Sequence, residues 1–308
     1  MTRLEIIHDQ THRERRKAIL ARYPGVRALF GKDPTSLFWA AALSVAQLCI
    51  GWGVSGLDWW APVLAALTVG AFVGHAQNVL IHEATHDLIL RGSAANKLAG
   101  IVANIATVFP SAIAFRHYHM LHHRFLGERG GDADLPTNWE LRVFDGSRLG
   151  KFVWLLLLPL WYGLVHPVQA RPRIPLDRWL ALNWLVTGGV FLAAWYWGGD
   201  MMALYLFLSA WFAVGMHPAG AHILQEHIWF SGPRETTSYY GPINRASFNF
   251  GHHVEHHDFI TIPGRNLPKL RAMAPEFFPD DPNYRSRARL LWRFVMDPNV
   301  RIGGRYIR

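Results

Sequence analysis

The chain has 308 residues, 51% of them hydrophobic, and its 31 Lys and Arg against 22 Asp and Glu leave a net charge of +9. One cysteine, Cys49, excludes an intrachain disulfide framework and an iron–sulfur cluster held by a single chain. The basic residues flank long apolar runs, so the charge suits an anionic lipid surface rather than a nucleic acid.

Residues 8–32, HDQTHRERRKAILARYPGVRALFGK, are basic and polar and lack the apolar core of a cleavable signal. Thr2 stands where N-myristoylation needs glycine. Residues 37–57 then run without a charge, about the roughly 20 residues a helix needs to cross the hydrocarbon core. After Asp58, residues 59–81 form a second such span, so the two make a tight hairpin. Residues 98–115 are apolar but broken by Pro110 and read as a buried or re-entrant segment. Residues 152–168 are short, interrupted by Pro159, and read as lying along the interface. Residues 179–197 and 201–223 form a second hairpin turning at Gly198-Gly199-Asp200. The aromatic residues at 59–60, 161–162 and 195–197 read as interface anchors.

Every Lys and Arg falls within 3–32, 91–178 or 234–308, and none within 33–90 or 179–233. The positive-inside rule therefore puts both termini and the 91–178 loop in the cytoplasm. The expected fold is an all-α integral membrane protein. It has four transmembrane helices in two hairpins, interfacial or re-entrant helices, and a cytoplasmic histidine-rich cap. It forms one domain over 1–308: a basic segment 1–36, a hairpin 37–81, a cytoplasmic region 82–178, a hairpin 179–223 and a cap 224–308.

The 17 histidines carry the chemistry. HEATH at 82–86 matches the HExxH zinc-protease pattern, with Glu83 as its general base. Two HxxHH groups follow, His119/His122/His123 and His253/His256/His257, and the pair His222 and His227 lies between them. On a helix, HxxxH offers two imidazoles to one point and HxxHH offers three. Random placement gives only about 0.05 HxxHH per chain of this composition, and all these groups fall on one predicted face of the membrane. Eight imidazoles exceed the four positions of one zinc, so two metals fit better. Zinc, copper, iron and nickel all suit imidazole, and the pattern alone does not choose among them.

FRHYHMLHHRFLG with DADLPT, HPAGAHILQEH, SYYGPINRASFNFGHHVEHHDFITIPG, FVMD and the stretch DQTHRERRKAILARYPGVRALFGKDP resemble the sphingolipid Δ4-desaturase family, the dihydroceramide desaturases. These belong to the membrane fatty-acid desaturase and hydroxylase superfamily. The resemblance runs from about His8 to Asp297. It implies two non-haem irons on His82, His86, His119, His122, His123, His253, His256 and His257. His227 matches a further histidine of related enzymes, and His222 is expected as a tenth ligand. Five residues place His222 about 140° around a helix from His227, so both bind only if the helix unwinds or they serve different irons. Glu83, Asp87, Glu255 and Asp258 adjoin these histidines and are candidates to orient imidazoles. The family has an aromatic where His252 stands, and His252 is not carried over. His75 reads as a packed helix histidine. HPAG at 217–220 faintly matches a haem-binding sequence but lies in a predicted span, and is set aside.

The resemblance implies O2-dependent removal of two hydrogens from C4 and C5 of a dihydroceramide-like lipid in the membrane. No flavin, haem or iron–sulfur domain is encoded, so electrons are expected from a cytochrome b5 or ferredoxin type of donor on the basic face. The membrane is the endoplasmic reticulum or a bacterial inner membrane. A fatty-acyl desaturase or a lipid hydroxylase on the same site is the near alternative. An intramembrane zinc protease, or a membrane scaffold without catalysis, is the distant one.

Overall fold

The structure, a computed structural model, describes residues 11–308, so the first ten residues of the basic segment lie outside it. Among the described residues all regular structure is helical and there is no strand. Helix α1, His12–Arg22, precedes α2, Thr35–Val54, and α3, Trp60–Thr85. Then come α4, Ser93–Asn104, α5, Ala112–Phe125, α6, Asn138–Phe144, α7, Arg148–Leu156, and α8, Leu158–Gln169. The long α9, Arg178–Val214, leads to α10, His222–His227, α11, His253–Asp258, α12, Leu267–Met273, and α13, Arg287–Met296.

Three helices, α2, α3 and α9, are long and apolar enough to cross a membrane. Their nearly charge-free faces do not suit water, and Phe38, Trp52, Trp184, Leu185 and Tyr196 stand exposed on them. α9 is interrupted at Gly199, where φ is 68° and ψ −169°. Only glycine takes that region without strain, so the expected turn at Gly198-Gly199-Asp200 has its physical basis here.

Small residues and polar contacts hold the spans together. A Cβ on Gly70 would lie 2.9 Å from Ser209 Cβ, so α3 and α9 touch backbone to side chain there. Gln47 of α2 donates from Nε2 to Gly70 O at 3.0 Å and accepts the Tyr205 hydroxyl at its Oε1, tying all three helices.

The expected break in residues 98–115 is a turn between the end of α4 and the start of α5. Asn104 makes that turn: its Oδ1 accepts from Ser111 N, Ala112 N and Asn183 Nδ2 at 2.9, 3.1 and 2.7 Å. Asn183 Oδ1 takes Ile113 N at 3.2 Å, so two buried asparagines satisfy the first amides of α5 and aim it. The 152–168 segment is bent by 60° between α7 and α8, beside Pro159. Trp161 is not an exposed anchor: it is buried and donates its indole N–H to Trp154 O, because the bend turns it onto the core of Trp154, Phe294 and Ile302.

Candidate metal centre

Box one ends α3. His82 lies in its last turn, and His86 is the residue that terminates it. Arg116 of α5 donates to the carbonyls of Ala84 and Thr85, both at 2.8 Å, and pairs with Asp87 at 3.0 Å. One guanidinium thus satisfies the end of α3 and fastens it to the box-two helix.

Box three needs more scaffolding, because α11 is only six residues long. The SYYGP-to-HHVEHH stretch supplies it. Ser238 and Tyr240 hydroxyls donate to Glu255 at 2.7 and 2.9 Å, and His252 Nδ1 meets the same carboxylate at 2.9 Å. Asn244 Oδ1 accepts Gly251 N at 2.9 Å. A Cβ at Gly251 would lie 2.2 Å from that oxygen and 2.4 Å from Tyr239 O, so only glycine fits. Asp258 closes the helix against α1 through Arg15 Nε at 2.6 Å and His12 Nδ1 at 2.7 Å.

These elements bring nine imidazoles together in two adjoining groups. His82, His86, His119, His123 and His256 each offer a nitrogen, and all five lie within 4.8 Å of one another. His122, His227 and His257 form the second group, which His253 joins through His227. The Nε2 atoms of His86 and His119 are 3.0 Å apart, those of His119 and His123 2.9 Å, and those of His123 and His256 3.2 Å. His227 and His253 meet at 3.3 Å. Imidazole nitrogens about 2.1 Å from one cation and at right angles to each other lie about 3.0 Å apart, so the spacing fits shared metal ions. The Nε2 atoms of His82, His122 and His257 are buried without a hydrogen-bond partner, which a metal would supply.

An HxxHH group does not deliver three imidazoles to one point. Its adjacent histidines sit about 100° apart on the helix, so they diverge. His119 and His123 go to the first group and His122 to the second, while His256 goes to the first and His253 and His257 to the second. α5 and α11 therefore each span both groups. His123 and His257, one from each, have ring centroids 4.3 Å apart.

Burial, and then the charge of neighbouring imidazoles, hold His119, His123, His253 and His257 well below the ordinary histidine value. Their lone pairs are therefore free for a metal at neutral pH. Burial also works against a charge on His122, but Asp132 and Asp134 outweigh it and lift that group to about 9. Asp132 Oδ1 holds His122 Nδ1 at 2.8 Å, so Nε2 faces inward and the carboxylates favour any cation there, proton or metal.

His222 stands outside both groups, contrary to the expectation of a tenth ligand. α10 stays helical from His222 to His227, so the two side chains point apart, and His222 packs instead on His75 with ring centroids 4.6 Å apart. The four neighbouring acids do not support the imidazoles beside them; each is engaged with another part of the chain. Glu83 accepts Gly264 N at 3.1 Å, Asp87 pairs with Arg116, Glu255 holds the loop before α11, and Asp258 holds α1. The carboxylates that face imidazoles of the two groups lie elsewhere: Asp132, and Glu226 at 3.7 Å from His253 Nδ1. Asp132 stands in DADLPT, ten residues after His122, but beyond the end of α5 no helical spacing assigns it a partner. His217 of HPAG meets Leu67 O at 2.9 Å and serves packing.

The profile of the fatty acid desaturase family matches residues 58–288, and that of the sphingolipid Δ4-desaturases matches residues 7–35. The chain is 36% identical to the sphingolipid delta(4)-desaturase DES1 of Drosophila melanogaster over 294 residues, covering 95% of this chain and 91% of the relative. It is 38% identical to DES1 of Gallus gallus over 295 residues, covering 95% and 90%. It is also 38% identical to the human sphingolipid delta(4)-desaturase/C4-monooxygenase DES2 over 294 residues, again covering 95% and 90%. The chain belongs to the sphingolipid Δ4-desaturase family, within the fatty acid desaturases. It is an oxidoreductase of lipids and, with its long apolar helices, an integral membrane protein. The matched N-terminal segment includes α1, so its contact with Asp258 joins the segment that marks the sphingolipid branch to box three.

Proposed function

We propose that this protein is an O2-dependent non-haem di-iron desaturase that forms the C4–C5 double bond of a dihydroceramide-like sphingolipid. The observation that carries the reading is the pair of adjoining imidazole groups, five and four. His82, His86, His119, His123 and His256 would hold one iron, and His122, His227, His253 and His257 the other. When bound, the iron pair supplies O2 activation and hydrogen removal. The chain's residues do the rest. Asp132 orients His122, Arg116 fixes box one against box two, and the Asp258 clamp fixes box three, so the reacting carbons meet a rigid centre.

We place the chain in four spans, forming apolar hairpins over 37–81 and 179–223, with both termini and the histidine cap cytoplasmic, all within one domain. The interruption at Gly199 and the confinement of Lys and Arg to the other segments support this arrangement. Arg13, Lys17, Arg22 and Arg27 are exposed on and after α1, a basic face suited to an acidic cytochrome b5 or ferredoxin type of electron donor.

A C4-hydroxylase is the second reading, favoured by the double name of the human relative. The zinc-protease reading has less support, because Glu83 is engaged by Gly264 N and five imidazoles exceed the needs of one zinc. Expression in a host with a suitable reductase, fed dihydroceramide, tests the proposal by product mass. Loss of two hydrogens supports the desaturase, gain of one oxygen supports the hydroxylase, and unchanged lipid overturns both.

A further inference from the structure

A second buried polar cluster adjoins the imidazoles on the side of the α3 span. His75 lies two turns before His82 on α3, and Arg287 begins α13. Both are 1% exposed. Arg287 Nη1 donates to His75 Nε2 at 3.0 Å and to Ala219 O at 3.4 Å. Because Nε2 of His75 accepts, its Nδ1 carries the hydrogen. That Nδ1, with Nε and Nη2 of Arg287, has no hydrogen-bond partner among the described residues. Glu226 lies within electrostatic reach of Arg287, yet no ion pair closes between them, and Glu226 Oε1 also lacks a hydrogen bond. Buried donors of this kind persist at a cost unless something brings acceptors to them.

The ring of Phe250 touches both this cluster and the metal centre. Phe250 lies 5.9 Å from His75 and 5.4 Å from His222, and on its other sides 5.0 Å from His82 and 6.2 Å from His253, measured between ring centroids. His222 keeps accessible surface here although buried residues flank it on both sides.

We infer that His75 and Arg287 bind the polar end of the sphingoid substrate, donating to its C3 hydroxyl oxygen. The inference rests on the C4–C5 reading above. In such a lipid the C3 oxygen is two bonds from C4 and the amide nitrogen three, so the polar end must lie beside the metals while C4 reacts. A desaturase acting in the middle of an acyl chain would need an apolar wall at this position; this chain has a guanidinium and an imidazole with donors to spare.

The test compares dihydroceramide with an analogue lacking the C3 hydroxyl, using the iron-loaded enzyme and variants Arg287→Met and His75→Phe. The wild type should turn over the analogue with kcat/KM lower by about tenfold or more. Each variant should lose about as much on dihydroceramide, little on the analogue, and none of its iron. Where Arg287→Met does not accumulate as folded protein, His75→Phe carries the same comparison. Equal losses on both substrates, or no loss on either, overturn the inference while leaving the desaturase reading intact. A wild type that leaves dihydroceramide unchanged overturns both.

Discussion

Asp132 Oδ1 lies 2.8 Å from Nδ1 of His122, and both side chains are fully enclosed. His122 is the member of box two that turns to the second imidazole group, so this carboxylate sets the aim of a nitrogen that the helix alone would leave free to rotate. Asp132→Ala should weaken metal binding at the second group by about 10–100-fold. Iron analysis after dialysis against a chelator should show one metal lost before the other. Equal retention of both would remove Asp132 from this role.

Asp258 is the corresponding support for box three. It is buried and bound by Arg15 and His12 of α1. Removing one partner of a buried ion pair costs about 3–5 kcal/mol, because the other charge loses the contact that most offsets its burial. Asp258→Ala should therefore lower the melting temperature and release iron, while a charge change at exposed Arg13 should do neither. Thermal unfolding in detergent with parallel iron assays checks both outcomes.

Metal stoichiometry separates the proposed di-iron centre from a zinc site. His256→Ala and His227→Ala should each abolish desaturation and reduce the iron content. Glu83→Gln should keep both irons, and His222→Ala should keep the full metal complement, since His222 belongs to neither group. One zinc and no iron in active wild-type protein would sink the proposal.

Acid stability should report on Glu140. Burial works to raise this carboxyl, but His166, the Thr137 amide and the Trp154 indole outweigh it and hold it at about 2 against an ordinary 4.5. A depressed folded-state value stabilises the protein above the unfolded value, and that stabilisation is lost as pH falls through the interval from 4.5 to about 2. Glu140→Gln should melt lower than wild type at pH 7, and the gap should narrow below pH 4.5. A constant gap would show that the charge on Glu140 does not matter.

Much of the site was legible because helical spacing is local. HxxxH and HxxHH name their residues without reference to the rest of the chain, and the charge-free runs name the spans. The errors came where a side chain's partner lies far away in sequence. Glu83 and Asp258 looked like supports for adjacent histidines, but they serve Gly264 and Arg15. His222 looked like a ligand until the continuous helix to His227 turned it aside.

The order of residues by itself determined the helical character, the long apolar runs, the break at Gly199 and the ten histidines from which the nine are drawn, because each follows from hydropathy, backbone freedom or helical period. Only the folded chain decided how those histidines divide into five and four, which carboxylates steer them, and that Arg287 from the last helix meets His75 beneath them. Those are contacts between segments brought close by packing, and direction in space is not written in spacing along a chain.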